Sequence, residues 1–230
     1  MPSVTSVVLV HGAWADGSTW AKIIPVLKAR GLQVSAVQLP LVSLALDVTA
    51  TNRIIDAQDG QVLLVAHAYG GAVITEAGTN PKVEGLVYVA AVGPEAGETA
   101  TTMSANYPPP DAFQEIRPVG DGYILLSEKG IKEYFAQDLP SDEIDLLVST
   151  QGQTNKAIFD TPLQSTAWKS KPCWYIISSN DKTLQPAQQR DAAKRMNAQI
   201  LTLATSHVPM LLEPEKVGEF IIEAVKHLNK

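Results

Sequence analysis

Short apolar runs alternate with stretches of helical spacing along the first ninety residues. Residues 7–10 (VVLV) are continuously apolar and end in His-Gly. Residues 19–29 place Trp20, Ile23, Ile24, Val26 and Leu27 near helical spacing. Residues 32–39 read as a strand closed by Pro40, and residues 47–57 as a helix. The pair Asp59-Gly60 breaks the chain before the apolar run 62–66; residues 71–78 then read as a helix and 83–92 as a strand. The rhythm returns near the C-terminus, with strands over 173–178 and 198–203 and a helix over 185–197 between them. The last helix, over 213–228, carries Val217, Phe220, Ile221, Ala224, Val225 and Leu228 on one stripe. Strands alternating with helices predict an α/β protein, and the near-continuous apolar runs predict a mostly parallel sheet covered on both faces.

Residues 93–172 break this rhythm. They open with GPEAGETATTM, contain NYPPPDAF, and offer short amphipathic pieces such as EKGIKEYFAQ and SDEIDLLVST. No sheet pattern is evident in them. The chain therefore divides into a core formed by residues 1–92 and 173–230 and an insert, 93–172, placed where a cap or lid would sit and expected to be a helical cap. At 230 residues the whole is one domain of ordinary size.

Composition narrows the partners. The chain is 45% hydrophobic and 18% charged, as expected for a globular protein with a large core. A net charge of -6 argues against nucleic acid, which requires a basic face. The basic spots at 169–171 and 190–195 are short and mixed, and read as solvated faces. Cys173 is the single cysteine, so no internal disulfide forms; it opens an apolar run and reads as an inert buried thiol. The N-terminus lacks a charged leader, and no apolar run approaches the roughly 20 residues of a membrane span, which points to a cytoplasmic protein without a membrane partner.

The chemistry concentrates at the turn Ala66-His67-Ala68-Tyr69-Gly70-Gly71, between a strand and a helix. A nucleophile elbow has this form, G-x-S-x-G, with small flanking residues because the turn is sharp and other backbone passes close by. Here the tip is Ala68, which has no nucleophilic atom. A triad also needs a base and an acid. Of the four histidines, His227 lies in the final turn of the last helix, His11 ends the first strand, and His67 stands in the turn with its side chain expected to point away from the tip. His207, in the loop ATSHVPML after the last strand, occupies the position of the base. Asp181, in SSNDKTLQP after the preceding strand, is the expected acid, with Glu95 and Glu98 as alternatives. Two backbone N–H groups should form the oxyanion hole, those of Ala13 in the loop after the first strand and of Tyr69 after the tip.

Taken together, VLVHGAWADGSTW, HAYGGAVIT, SSNDKTLQP and SHVPMLLEP resemble the α/β-hydrolase fold family, closest to its small esterase and hydroxynitrile-lyase-like branch. The resemblance covers nearly the whole chain outside the insert. It implies a sheet of about eight strands, an esterase-type triad and no cofactor. The acid falls on Asp181, the base on His207 and the oxyanion donors on Ala13 and Tyr69. Ala68 departs from the family, which carries serine there. The lyase branch usually has threonine where Gly12 stands, and often a lysine near the acid–base pair, so Gly12 favours ester hydrolysis over cyanohydrin cleavage.

Three readings of Ala68 stay open at this point. The chain is a serine esterase in a nucleophile-to-alanine inactive form; or it is a non-catalytic small-molecule-binding member of the fold; or the His207–Asp181 pair works alone as the base of a cofactor-free lyase or oxygenase. The expected substrate is a small apolar or aromatic ester, bound among Trp14, Met103, Tyr107, Tyr134, Phe135, Phe159, Val208 and Met210. Gly70-Gly71 lacks the lysine and spacing of a phosphate loop, and no two histidines have metal-ligand spacing. The oligomeric state is undecided, a homodimer included.

Overall fold

The computed structural model describes residues 3–230, so the first two positions of the expected core lie outside the described residues. Four strands open the chain: β1 (Val4–Val10), β2 (Gln33–Ala36), β3 (Gln61–His67) and β4 (Val83–Val89). Three short strands follow in the insert, β5 (Ile116–Gly120), β6 (Tyr123–Leu126) and β7 (Thr154–Asn155), and then β8 (Cys173–Ser178) and β9 (Gln199–Leu203). The main sheet has the order β2-β1-β3-β4-β8-β9, and every neighbouring pair is parallel. Its central strands are buried along nearly their full length, as a sheet covered on both faces requires. The edge strands β2 and β9 are largely accessible.

The sheet has six strands, not the eight that the resemblance implied. The chain contains six apolar runs of strand type outside the insert, and each became one of the six. The insert contributes none to the main sheet. The insert is not the purely helical cap expected: beside its short helices it carries a separate three-stranded antiparallel sheet, β5-β6-β7, which the absence of an apolar rhythm concealed. A hairpin signal was present: Gly120, Asp121 and Gly122 all have positive φ, and Gly-Asp-Gly joins IRPV to YILL.

Helices α1 (Ile23–Lys28), α2 (Leu44–Asp56), α3 (Gly70–Ala77) and α4 (Ala100–Ser104) are followed by helices Ser141–Ser149, Pro186–Arg195 and Pro214–Leu228, among shorter turns. The helix expected over 19–29 is divided. Asp16 accepts from the Ser18 N–H (2.7 Å) and caps a 3-10 turn, Gly17–Trp20, before α1 begins. Helix α2 starts three residues before the expected position because Ser43 caps it, its hydroxyl accepting from the Leu46 N–H. Helix α1 packs against Pro214–Leu228, and α2 against α3. Trp20, Trp174, Tyr88 and Tyr175 are among the largest fully buried side chains of the core. Cys173 is buried, and burial pushes its thiol up to about 12.

Candidate active site

Four loops leave the carboxyl ends of β1, β3, β8 and β9, and the candidate residues stand on them. After β1, the buried His11 accepts the Leu39 N–H at Nε2 (3.0 Å), so its Nδ1–H donates to Gly12 O (2.8 Å). Burial lowers the pKa of this imidazole, and the neutral ring ties the loop to the chain leaving β2. Trp14 then takes a left-handed conformation, φ +56°, and its N–H donates to Thr154 Oγ1 (3.0 Å).

After β3 the chain turns at Ala68, also left-handed at φ +50°. The Ala68 N–H donates to Val89 O (3.2 Å), and its carbonyl accepts from the N–H groups of Gly71 and Val92 (3.1 Å each). The glycines that follow are steric requirements. A Cβ on Gly70 would lie 2.6 Å from His11 O, and one on Gly71 would lie 2.0 Å from Val92 O. A Cβ on Gly12 would meet the Ala68 Cβ at 2.8 Å, so the backbone as it stands has no room for a threonine there.

After β8 and β9, Asp181 and His207 meet in the interior. His207 Nδ1 lies 2.7 Å from Asp181 Oδ2, and both residues are buried. The carboxylate is otherwise saturated: Oδ1 accepts from the Thr183 and Leu184 N–H groups (2.8 and 2.9 Å), and Oδ2 also accepts from Gln189 Nε2 (2.7 Å). An acceptor-only carboxylate facing Nδ1 selects the tautomer with the proton on Nδ1 and leaves Nε2 as a base. Glu95 and Glu98, the alternative acids, are instead paired with Lys169 and Arg195.

His67 does more than its expected outward orientation implied. Its Nε2–H donates to His207 O (2.7 Å), and its ring lies 4.6 Å from that of His207, centroid to centroid. Phe135 packs edge-on against both rings. Burial first, and then the neighbouring His207, depress the His67 pKa well below its ordinary value, so it serves as a neutral brace. Gln189 and Asp138, the latter accepting from the Ser206 N–H (2.6 Å), support the same loops. Sequence spacing carried no signal for either. His227 lies exposed on the C-terminal helix against Trp174.

A cavity of about 550 Å³ brings the set together. Ala13, Trp14, Ala68, Tyr69 and His207 line it, with Tyr107, Phe113, Ile116, Ile124, Phe135 and Phe159 from the insert. Of the expected wall residues, Trp14, Tyr107, Phe135 and Phe159 line it, and Met103, Tyr134, Val208 and Met210 do not. Met103 turns back to accept the Gly93 N–H at its sulfur (3.4 Å). Tyr134 faces outward beneath Lys182 while its neighbour Phe135 faces in. Val208 and Met210 are fully buried in the core beside the histidine loop. Missed by sequence reasoning were Phe113, on the 3-10 turn Asp111–Glu115, Ile116 and Ile124, which the insert hairpin brings in, and the rim residues Lys156 and Asp160. Among the described residues no three His, Cys, Asp or Glu side chains cluster as a metal site, and no helix is long and apolar enough to cross a membrane.

Comparison with known proteins identifies the family and the fold. The alpha/beta hydrolase family matches residues 7–220. A pyrethroid hydrolase of Sphingobium wenxiniae is 28% identical over 96% of this chain and 88% of its own length. Methylesterase 8 of Arabidopsis thaliana is 23% identical over 94% of this chain and 87% of its own. The crystal structure of a pyrethroid hydrolase from Sphingobium faniae JZ-2 superposes with a TM-score of 0.84 at 27% identity, covering 97% of this chain and 98% of that one.

Proposed function

The chain belongs to the alpha/beta hydrolase family, and from that premise we propose that it is a carboxylic ester hydrolase with a serine-type triad whose nucleophile position, 68, holds alanine. The observation that carries the reading is the His207–Asp181 pair, 2.7 Å apart, with His207 lining the same cavity as a left-handed Ala68. The relatives include a named hydrolase and a named methylesterase, which supports ester chemistry.

In the Ala68→Ser form the introduced hydroxyl attacks the ester carbonyl while His207 Nε2 takes its proton. Asp181 holds the imidazole by Nδ1 and stabilises the imidazolium that forms. The carbonyl oxygen becomes an oxyanion bound by the N–H groups of Ala13 and Tyr69, which have no acceptor of their own among the described residues. His207 returns its proton to the leaving alkoxide, which departs as the alcohol. Water, activated by the same histidine, then releases the acid. The insert 93–172 acts as the lid, supplying the aromatic wall that selects small apolar or aromatic esters. No cofactor takes part.

Ala68→Ser tests this against short-chain and aromatic nitrophenyl esters at neutral pH. The expected result is turnover by the serine form and a rate lower by about 10⁶ in the chain as given, the cost of removing a triad nucleophile. Equal inertness of both forms, with consumption of a substrate bearing an acidic proton by the chain as given, would replace the esterase reading by His207–Asp181 base chemistry. Equal inertness with ligand binding alone would leave a binding protein.

A further inference from the structure

We infer that Thr154, on strand β7 of the insert, is a positioning residue for the oxyanion-binding loop; this rests on the esterase reading above. Thr154 is fully buried and 140 residues distant from the loop it serves. Its Oγ1 accepts the Trp14 N–H (3.0 Å) and donates to Gly152 O (3.2 Å), which fixes the direction of its lone pairs. Trp14 directly follows the oxyanion donor Ala13 and is held at φ +56°, a conformation a non-glycine residue leaves unless its surroundings enforce it. The Thr154 hydroxyl supplies that enforcement at the backbone N–H that follows the donor's.

The same strand reaches the second donor. The N–H of Asn155 donates to Leu41 O (2.9 Å), and Leu41 is itself left-handed at φ +55°. The Leu41 N–H donates to Asp47 Oδ1 (2.8 Å), and Asp47 Oδ2 accepts from the hydroxyl of Tyr69 (2.8 Å), whose N–H is the other oxyanion donor. Each donor is thus backed by a hydrogen-bonded path, and both paths end on two consecutive residues of β7. Gly152 lets this segment approach, since a Cβ there would lie 2.6 Å from Ala15 O. The insert therefore holds the site's electrostatic geometry as well as covering it.

The test compares ligands that differ in charge at the reacting centre. An aryl phosphonate monoester carries the negative oxygen that the hole is built for, and the matching neutral aryl ester does not. Calorimetry on the chain as given is expected to show tighter binding of the phosphonate. Thr154→Val should weaken phosphonate binding about tenfold, with ester binding unchanged within twofold, and Thr154→Ser should restore it. Amide exchange at Trp14, followed by NMR, should be slow in the parent and in Thr154→Ser, and about tenfold faster in Thr154→Val. Equal weakening of both ligands, or of neither, overturns the inference. A Trp14 amide that exchanges freely in the parent overturns it too, and needs no variant that folds. A parent with no preference for the phosphonate withdraws the esterase reading and this inference together, whereas a parent that prefers it beside an equally selective Thr154→Val withdraws only this inference.

Discussion

Ala68 holds a backbone conformation that costs a non-glycine residue about 1–2 kcal/mol, at a turn that aims its side chain position into the same cavity as His207. Three backbone hydrogen bonds maintain it. Strain kept up in this way would have a use if the tip carried a reacting atom, which is one support for the proposal that alanine stands here in place of a nucleophile. Asp47 is a second residue under load. It is fully buried beneath Tyr69, and burial pushes its carboxyl up to about 6 despite the hydrogen bonds from Leu41 and Tyr69. In the unfolded chain the same group titrates near 3.8. Between those values the fold binds more protons than the unfolded chain, so this group's stabilising contribution is complete below about pH 4 and is lost as pH rises through 6. Asp47→Asn does not titrate and keeps an acceptor for the Leu41 N–H. In urea titrations the stability of the parent relative to Asp47→Asn should fall by about 2–3 kcal/mol between pH 4 and 7. A difference independent of pH would mean that Asp47 folds with an ordinary carboxyl.

The elbow as an element depends on what passes beside it. Strand β3 delivers the tip and α3 carries the chain away, and the chain continuing from β4 crosses close enough that Gly71 is the only fit. Gly71→Ala would force its Cβ to 2.0 Å from Val92 O, backbone that has no rotamer with which to yield. A cost of about 3 kcal/mol is expected. In a thermal melt this corresponds to a fall of roughly 6–12 °C for a chain of this size. A shift under about 2 °C would show that α3 slides away from β4 freely. The insert hairpin β5-β6 and strand β7 form the other decisive element. They bring Ile116 and Ile124 to the cavity and hold Thr154 and Asn155 against the loops after β1 and β2.

At the scale of the whole molecule, the strand order places the site. From β1 the chain goes outward to β2 and then returns across β1 to β3, and a crevice opens at the carboxyl ends where the direction reverses. The loops of Ala13 and Ala68 leave β1 and β3 on either side of that reversal, while β8 and β9 bring Asp181 and His207 from the other half of the sheet. Assembling the site this way buries two neutral imidazoles. His11 and His67 both have pKa values lowered chiefly by burial, from an ordinary value of 6.5. Below that pH the unfolded chain binds protons that the fold refuses, so their contribution is present above 6.5 and declines as pH falls. Asp47 has the opposite slope over part of this range. In Asp47→Asn, where that opposition is absent, calorimetry in buffers of different ionisation enthalpy should find a net uptake of protons on unfolding at about pH 5.5, the direction set by the two lowered imidazoles. Uptake near zero would mean that the rings are charged in the fold.

Some of this was determined by the sequence alone, because local physics suffices for it. Short apolar or alternating runs between helical stretches specify the six strands of a covered parallel sheet. A small-residue turn between strand and helix specifies the sharp turn at Ala68, and the order of turn, aspartate and histidine picks out the two loops whose Asp181 and His207 meet in the structure. Chain order also identified the loops of Ala13, Tyr69, Asp181 and His207, since each follows an apolar run. Only the tertiary structure decided what depends on contacts across long separations. That His67 braces His207, that Gln189 and Asp138 support the loops, and that Thr154 reaches Trp14 are contacts between residues whose spacing has no period to read. The cavity wall followed the same rule. Phe135 faces in and Tyr134 out because a turn of helix rotates one side chain onto the sheet and its neighbour away from it, and Val208 and Met210 were drawn into the core. Periodicity identifies which residues are apolar together; packing alone decides which of them face a ligand and which face each other.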